Sequence, residues 1–278
     1  MAIKIVADSC CELTEELKKT VKCVRVPLTI MVEDLTMIDD DTFNQDKLLK
    51  AVAASRECAR SACPSPEKYM QAFEGDESEV YVITLSADLS GSYNSAVLAK
   101  NLYEEEHDDK RIHVFNSKSA SGGETHVAYK ILELSSQGND FDSIVEKCEE
   151  FIDGMSTYFV LESLEELRKN GRLSNLKAFA ANTLNLKPIC GSDGGSIIQL
   201  GIARGMKKSL TKMIEMSLEA VKDTKDRILI INHCNCLERA QQVLADYIAR
   251  AEFKKAMIID TAGISSLYAA DGGIIVTM

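Results

Sequence analysis

Val80-Tyr81-Val82-Ile83-Thr84-Leu85 runs directly into Ser86-Ala87-Asp88-Leu89-Ser90-Gly91-Ser92 and then into Tyr93-Asn94-Ser95-Ala96-Val97-Leu98-Ala99. The first six residues suit a buried strand, the next seven a polar turn, and the last seven open a helix. A helix that starts just past a strand end leaves backbone N–H groups without partners, at the positive end of its dipole. Such a terminus attracts an anion. Gly91 lets a ligand approach the backbone, and Ser90 and Ser92 add hydroxyl donors. The segment therefore offers a cradle for a carboxylate or a phosphate. The competing reading is that these serines only cap the helix, a task serine performs well.

Outward from this segment, the first half of the chain alternates strands and helices. Strands are expected at Ile3–Ala7, at Val24–Val32 (broken by Pro27) and at Ile112–Phe115. Helices are expected at Leu13–Val21, after Thr42 as cap, after Ser65-Pro66, over 92–106, at Glu124–Leu134 and at Phe141–Ile152. This alternation predicts a doubly wound, mainly parallel sheet with helices on both faces. Ligands of such folds bind at the carboxyl ends of the strands. Three polar turns occupy such ends: Asp8-Ser9-Cys10, Ser86–Ser92, and Asn116–Gly123.

The second half changes rhythm. A strand at Thr157–Leu161 precedes helical pieces at Leu164–Lys169 and Leu176–Leu184 around Asn170-Gly171-Arg172. Asp193-Gly194-Gly195 between two apolar runs signals a hairpin. A helix over Lys207–Val221, a strand at Arg227–Ile231, a helix over Leu237–Arg250 and strands at Met257–Asp260 and Ile274–Thr277 complete a mixed sheet. The expected organisation is an N-terminal α/β domain over 1–154 and a C-terminal α/β domain over 155–278, with a ligand between them.

Composition narrows the function classes. With 278 residues, 45% hydrophobic and 27% charged, the chain has an ordinary globular balance and room for two domains. The net charge of −11 argues against broad nucleic-acid contact. Nine cysteines in a scattered, odd-numbered pattern fit free thiols in a reducing compartment better than a disulfide framework. The N-terminus reads as a strand without an export signal, so the expected location is the cytoplasm.

Catalytic groups are scarce. Of the four histidines, His107 lies in a charge run and His113 alternates within a strand. His126 follows the serine-rich turn and could face a site. His233-Cys234-Asn235-Cys236 could ligate a soft metal, but no second pair with matching spacing exists, so a structural role is favoured. Ser90 on a strand–turn–helix suggests a nucleophile, yet the glycine two residues earlier is absent and a partner histidine is hard to supply. The glycine pairs at Gly122-Gly123 and Gly194-Gly195 do not continue into a phosphate loop. Arg204-Gly205-Met206-Lys207-Lys208 is a basic patch in an acidic chain, either solvated charge or a docking point for an acidic partner or headgroups.

Seven motifs in order resemble the DegV family of bacterial fatty-acid-binding proteins over essentially the whole chain. They are Asp8-Ser9-Cys10-Cys11-Glu12-Leu13, Ser61-Ala62-Cys63-Pro64-Ser65-Pro66, Leu89-Ser90-Gly91-Ser92-Tyr93-Asn94-Ser95-Ala96 and Ser117–Gly123, then Leu167–Leu173, Leu186-Lys187-Pro188-Ile189 and Arg204–Lys208. The resemblance implies a carrier without catalysis that holds one long-chain fatty acid, such as palmitate, between two domains. It implies no cofactor beyond that ligand. It assigns the carboxylate to hydroxyls at Ser61 and Ser90, with Gly91 and Ser92 beside them. It also implies, in some bacteria, a separate fatty-acid kinase that receives the carboxylate, with Arg172 and Arg204 as partner-facing candidates and at most transient membrane contact. Two departures matter. Ser61 and Ala62 replace the family's Thr-Ser, and the family's C-terminal His-x-Gly-Pro-Gly is absent, leaving Tyr268 or Ser266 as the substitute donor. The alternatives are a serine acyl hydrolase using Ser90, and a binder of a phosphorylated small molecule. Burying a ~16-carbon tail would contribute roughly 10 kcal/mol before binding costs.

Overall fold

The computed structural model describes residues 3–173 and 185–278. In chain order, β1 (Ile3–Asp8), α1 (Glu15–Thr20) and β2 (Lys22–Val26) precede β3 (Thr29–Val32), β4 (Leu35–Ile38), α2 (Gln45–Ala54) and β5 (Arg60–Ala62). Then come α3 (Pro66–Phe73), β6 (Glu79–Thr84), α4 (Ser92–Glu106), β7 (Arg111–Asn116), α5 (Gly122–Ser136) and α6 (Phe141–Asp153). The second half holds β8 (Thr157–Val160), α7 (Glu165–Lys169), β9 (Leu186–Asp193), β10 (Ser196–Arg204), α8 (Met206–Ala220) and β11 (Ile228–His233). It ends with α9 (Leu237–Ile248), β12 (Lys255–Asp260), α10 (Gly263–Ala269) and β13 (Ile274–Thr277).

The first sheet is parallel throughout, in the order β2-β1-β6-β7. Its two central strands are buried almost end to end, as strands covered on both faces must be. One face packs on α1, α5 and α6 through Leu17, Val127, Ile131, Phe141 and Ile144. The other packs on α3 and α4 through Tyr69, Phe73, Ala96 and Ala99. The chain leaves β1 toward β2 on one side and β6 toward β7 on the other. The carboxyl ends of β1 and β6 therefore form the point where such a sheet opens a crevice.

The second sheet has six strands in the order β10-β9-β8-β13-β11-β12, and only β11 and β12 pair in parallel. Period-two alternation splits its side chains. Tyr158, Val160, Ile274 and Val276 pack on α8 and α9. Phe159, Leu161 and Ile275 point the opposite way, toward the first sheet.

Several expectations need correction. The strand expected over Val24–Val32 is two strands in different sheets. Pro27 lacks an N–H, and the chain re-forms as β3 in a three-stranded antiparallel sheet of order β4-β3-β5. The cap of α2 is Asn44, which accepts from Lys47 N, whereas Thr42 bonds Asp40. β4, β5 and α10 were not expected. The helix expected at Leu176–Leu184 lies outside the described residues. The hairpin at Asp193–Gly195 is present, with Gly194 and Gly195 at φ +60° and +103°. No helix among the described residues is long and apolar enough to cross a membrane.

Candidate functional site

The inner face of the second sheet covers the carboxyl ends of the first. Between them lies a narrow cleft with an internal volume of about 100 Å³, partly open to solvent. Its wall is mostly apolar, with Leu85, Leu89, Phe159, Leu161, Ile197 and Ile275 contributing. All three polar turns read from the sequence reach it, through Cys10, through Leu85 and Leu89, and through Ser119–Ser121.

Buried polar groups fix these turns. Asp8 accepts from Cys10 N at 3.0 Å and Leu85 N at 2.9 Å, which locks the end of β1 to the end of β6. Burial pushes its carboxyl up to about 6 against those bonds. Glu12 accepts from the Ser121 hydroxyl at 2.8 Å, from Asn232 Nδ2 at 3.3 Å and from Ala262 N at 3.2 Å. Burial raises it to about 7. Glu124, fully buried beside Asp8, is pushed well above the usual carboxylate range by burial and by that neighbour. The hairpin tip docks on the Ser86 turn, where the Ser86 hydroxyl donates to Gly195 O at 2.7 Å. A Cβ at position 195 would stand 2.6 Å from Ser86 Oγ, so the close approach requires glycine.

One corner of the cleft gathers polar side chains. The hydroxyls of Ser61 on β5 and Tyr268 on α10 are 2.8 Å apart, across 207 positions of sequence. The Arg172 guanidinium lies 5.8 Å from the Tyr268 ring centre, and its Nε donates to Leu89 O at 3.2 Å. Burial raises the Tyr268 phenol, and Ser61 and Arg172 oppose that shift. Leu89 O belongs to the turn carrying Ser90, so Arg172 ties that turn to α10.

The expected site residues fall into three groups. Ser61 and Tyr268 meet, and Arg172 sits on the cleft wall beside them. Ser90 is half-buried, and its hydroxyl accepts from Ser92 N at 3.2 Å, the short-range turn a serine makes before a helix. Gly91 is exposed and Ser92 buried. A Cβ on Gly91 would stand 3.1 Å from Cys63 Sγ, so this turn abuts the loop after β5. Arg204 is exposed at the end of β10. Of the wall candidates, Ile264 lines the cleft, whereas Leu28 and Ile30 are core beneath it.

The remaining motifs have structural partners. His126 is buried, and burial lowers it to about 4. It borders a different groove, with Tyr129 and Arg227. His233 Nδ1 accepts from Cys236 N at 3.3 Å, so that segment is a turn. No group of three His, Cys, Asp or Glu side chains among the described residues could hold a metal. All nine cysteines are free. Sequence reasoning missed Asp39 and Gln45, which hold α10 from the first half of the chain. A buried aspartate in an acidic run carries no local signal of that role.

Two stacked α/β units and a mostly apolar cleft at a sheet's switch point, with the Ser61, Tyr268 and Arg172 cluster at its edge, define a binding crevice between the two units. The chain matches the family described as "Uncharacterised protein, DegV family" over residues 2–276, and it belongs to that family. A DegV domain-containing protein of Streptococcus pneumoniae is 35% identical over 280 residues, which cover 99% of this chain and 98% of that protein. Among solved structures, a DegV family protein of Ruminococcus gnavus, refined with vaccenic acid, is 50% identical. Its TM-score is 0.97, and the match covers 100% of this chain and 99% of that one. The Fatty Acid Kinase (Fak) B3 protein of Streptococcus pneumoniae, loaded with linoleic acid, is 34% identical with a TM-score of 0.89, covering 100% and 99%.

Proposed function

We propose that this protein is a cytoplasmic carrier, without catalysis of its own, for one long-chain fatty acid. The acyl chain lies in the cleft between the units 1–154 and 155–278. The carboxylate lies at the corner formed by Ser61, Tyr268 and Arg172, with Ser90, Gly91 and Ser92 as the adjoining turn. The observation that carries this reading is the pairing of a mostly apolar wall with the hydrogen-bonded Ser61–Tyr268 pair and the Arg172 cation at its edge. Apolar burial supplies most of the affinity, and the corner fixes which end of the ligand sits there. The fatty acids held by the relatives from Ruminococcus gnavus and Streptococcus pneumoniae support the same ligand class.

In this reading Arg172 faces the ligand, and the exposed Arg204, with Lys207 and Lys208, faces a partner. The name of the Fak B3 relative supports a fatty-acid kinase as that partner. Against a Ser90 hydrolase stands the composition of the cleft wall, which among the described residues includes no histidine. The first experiment is native mass spectrometry of the protein purified from bacteria, before and after unfolding. The expected result is a co-purified fatty-acid mass released on unfolding. A mass free of ligand that stays so after incubation with fatty acids would overturn the reading in favour of a phosphorylated small molecule.

A further inference from the structure

Tyr268 reaches the polar corner on α10, a helix of seven residues that belongs by sequence to the second unit. Its anchors lie in the first. Asp39, fully buried, accepts from Gly263 N at 2.8 Å and Ile264 N at 3.0 Å. Gln45 Nε2 donates to Thr261 O at 2.9 Å and to the Ser266 hydroxyl at 3.0 Å. Ile264 and Leu267 pack with Leu28, Ile30, Met37 and Leu48 of the first unit. Gly263 makes the closest of these contacts possible, because a Cβ there would stand 2.6 Å from Asp39 Cγ. Arg25 holds Asp39 in turn, with Nη2 3.0 Å from its carbonyl and 3.5 Å from its carboxylate.

A short helix has little internal stability and takes its orientation from what it touches. Two adjacent N–H groups on the two oxygens of one carboxylate fix the rotation of α10 about its axis. That rotation decides whether the Tyr268 hydroxyl meets Ser61 and its ring meets Arg172. We propose that Asp39, assisted by Gln45, is the positioning residue for the fatty-acid headgroup contact, acting through α10 on Tyr268. This rests on the carrier reading above.

The test is a double-mutant cycle on the full chain with vaccenic acid as probe, read by calorimetric affinity and by the carboxyl resonance of the 1-13C-labelled ligand. Asp39→Asn keeps the size but loses the charge, and it turns a donor toward one of the two N–H groups. The expected result is a loss of about 10-fold in affinity with a shifted carboxyl resonance, falling below about 2-fold when Tyr268→Phe is already present. An equal loss in both backgrounds, or none in either, would overturn the proposal, since general destabilisation does not depend on the Tyr268 hydroxyl. If Asp39→Asn does not fold, Gln45→Ala at its half-buried position enters the same cycle with the same criterion and an expected loss of about 3-fold. Failure of the unmodified protein to bind vaccenic acid would instead sink the carrier reading, and this inference with it.

Discussion

The Ser86–Ser92 turn and α10 both border the cleft, but they are built in opposite ways. The turn's backbone conformation follows from its own neighbourhood, although Gly195 and Arg172 dock on it from far along the chain. β6 ends, Ser86 O accepts from Leu89 N and Ser90 N, and α4 begins at Ser92. α10 is built by distant parts of the chain, since its anchors Asp39 and Gln45 are more than 200 positions away. The turn's local fold should therefore survive loss of any one distant contact, while α10 should respond to substitutions at its distant anchors. Arg172 joins the two, bonded to Leu89 O and placed over Tyr268.

Breaking that junction should have the largest effect. Arg172→Ala removes the only cation on the described cleft wall and one contact to each element. Titration with vaccenic acid should show a loss of about 3 kcal/mol, more than 100-fold, as for a charge-assisted contact left unpaired. An affinity unchanged in a folded variant would separate the turn from α10 and return Arg172 to the partner-facing role.

Next is the pH dependence of the tie from Glu12 to Ala262 at the start of α10. The Glu12 carboxyl is raised from 4.5 to about 7, chiefly by burial. The folded state thus holds this proton more tightly than the unfolded chain. The stabilisation is complete below about pH 4.5 and is lost as pH rises through about 7, a change on the order of 3 kcal/mol. Melting curves from pH 4.5 to 7 should show a shallower decline in Tm for Glu12→Gln than for the unmodified protein. Parallel curves would mean that this group does not carry the coupling.

The smallest effects separate the two hydroxyls. Tyr268→Phe should weaken fatty-acid binding by about 1–2 kcal/mol, because it leaves Ser61 without its partner in the cleft. Ser90→Ala should cost about 1 kcal/mol, since that hydroxyl already accepts from Ser92 N and sits only half-buried. A reversal of this order, measured in one titration series, would make the turn rather than α10 the dominant contact.

Much of this was legible in the residues themselves. The start of α4 at Ser92, the hairpin at Gly194-Gly195 and the parallel sheet all follow from local chemistry: apolar runs of strand length, serine before a helix, glycine where φ is positive. Asn44 displaced Thr42 as a cap because only its side chain reaches the N–H three residues on. β5, with three residues, and α10, with seven, are too short to produce a periodic signal, and both exist through their partners.

By itself, the sequence determined two α/β units and three polar turns at strand ends, and its resemblance to the family singled out Ser61 and Tyr268 for the carboxylate and Arg172 for a partner. Only the tertiary structure decided that these three converge, and that Arg172 turns inward. Hydrogen bonds such as Ser61 to Tyr268 depend on distances in space, and a separation of 207 positions leaves no local record of them.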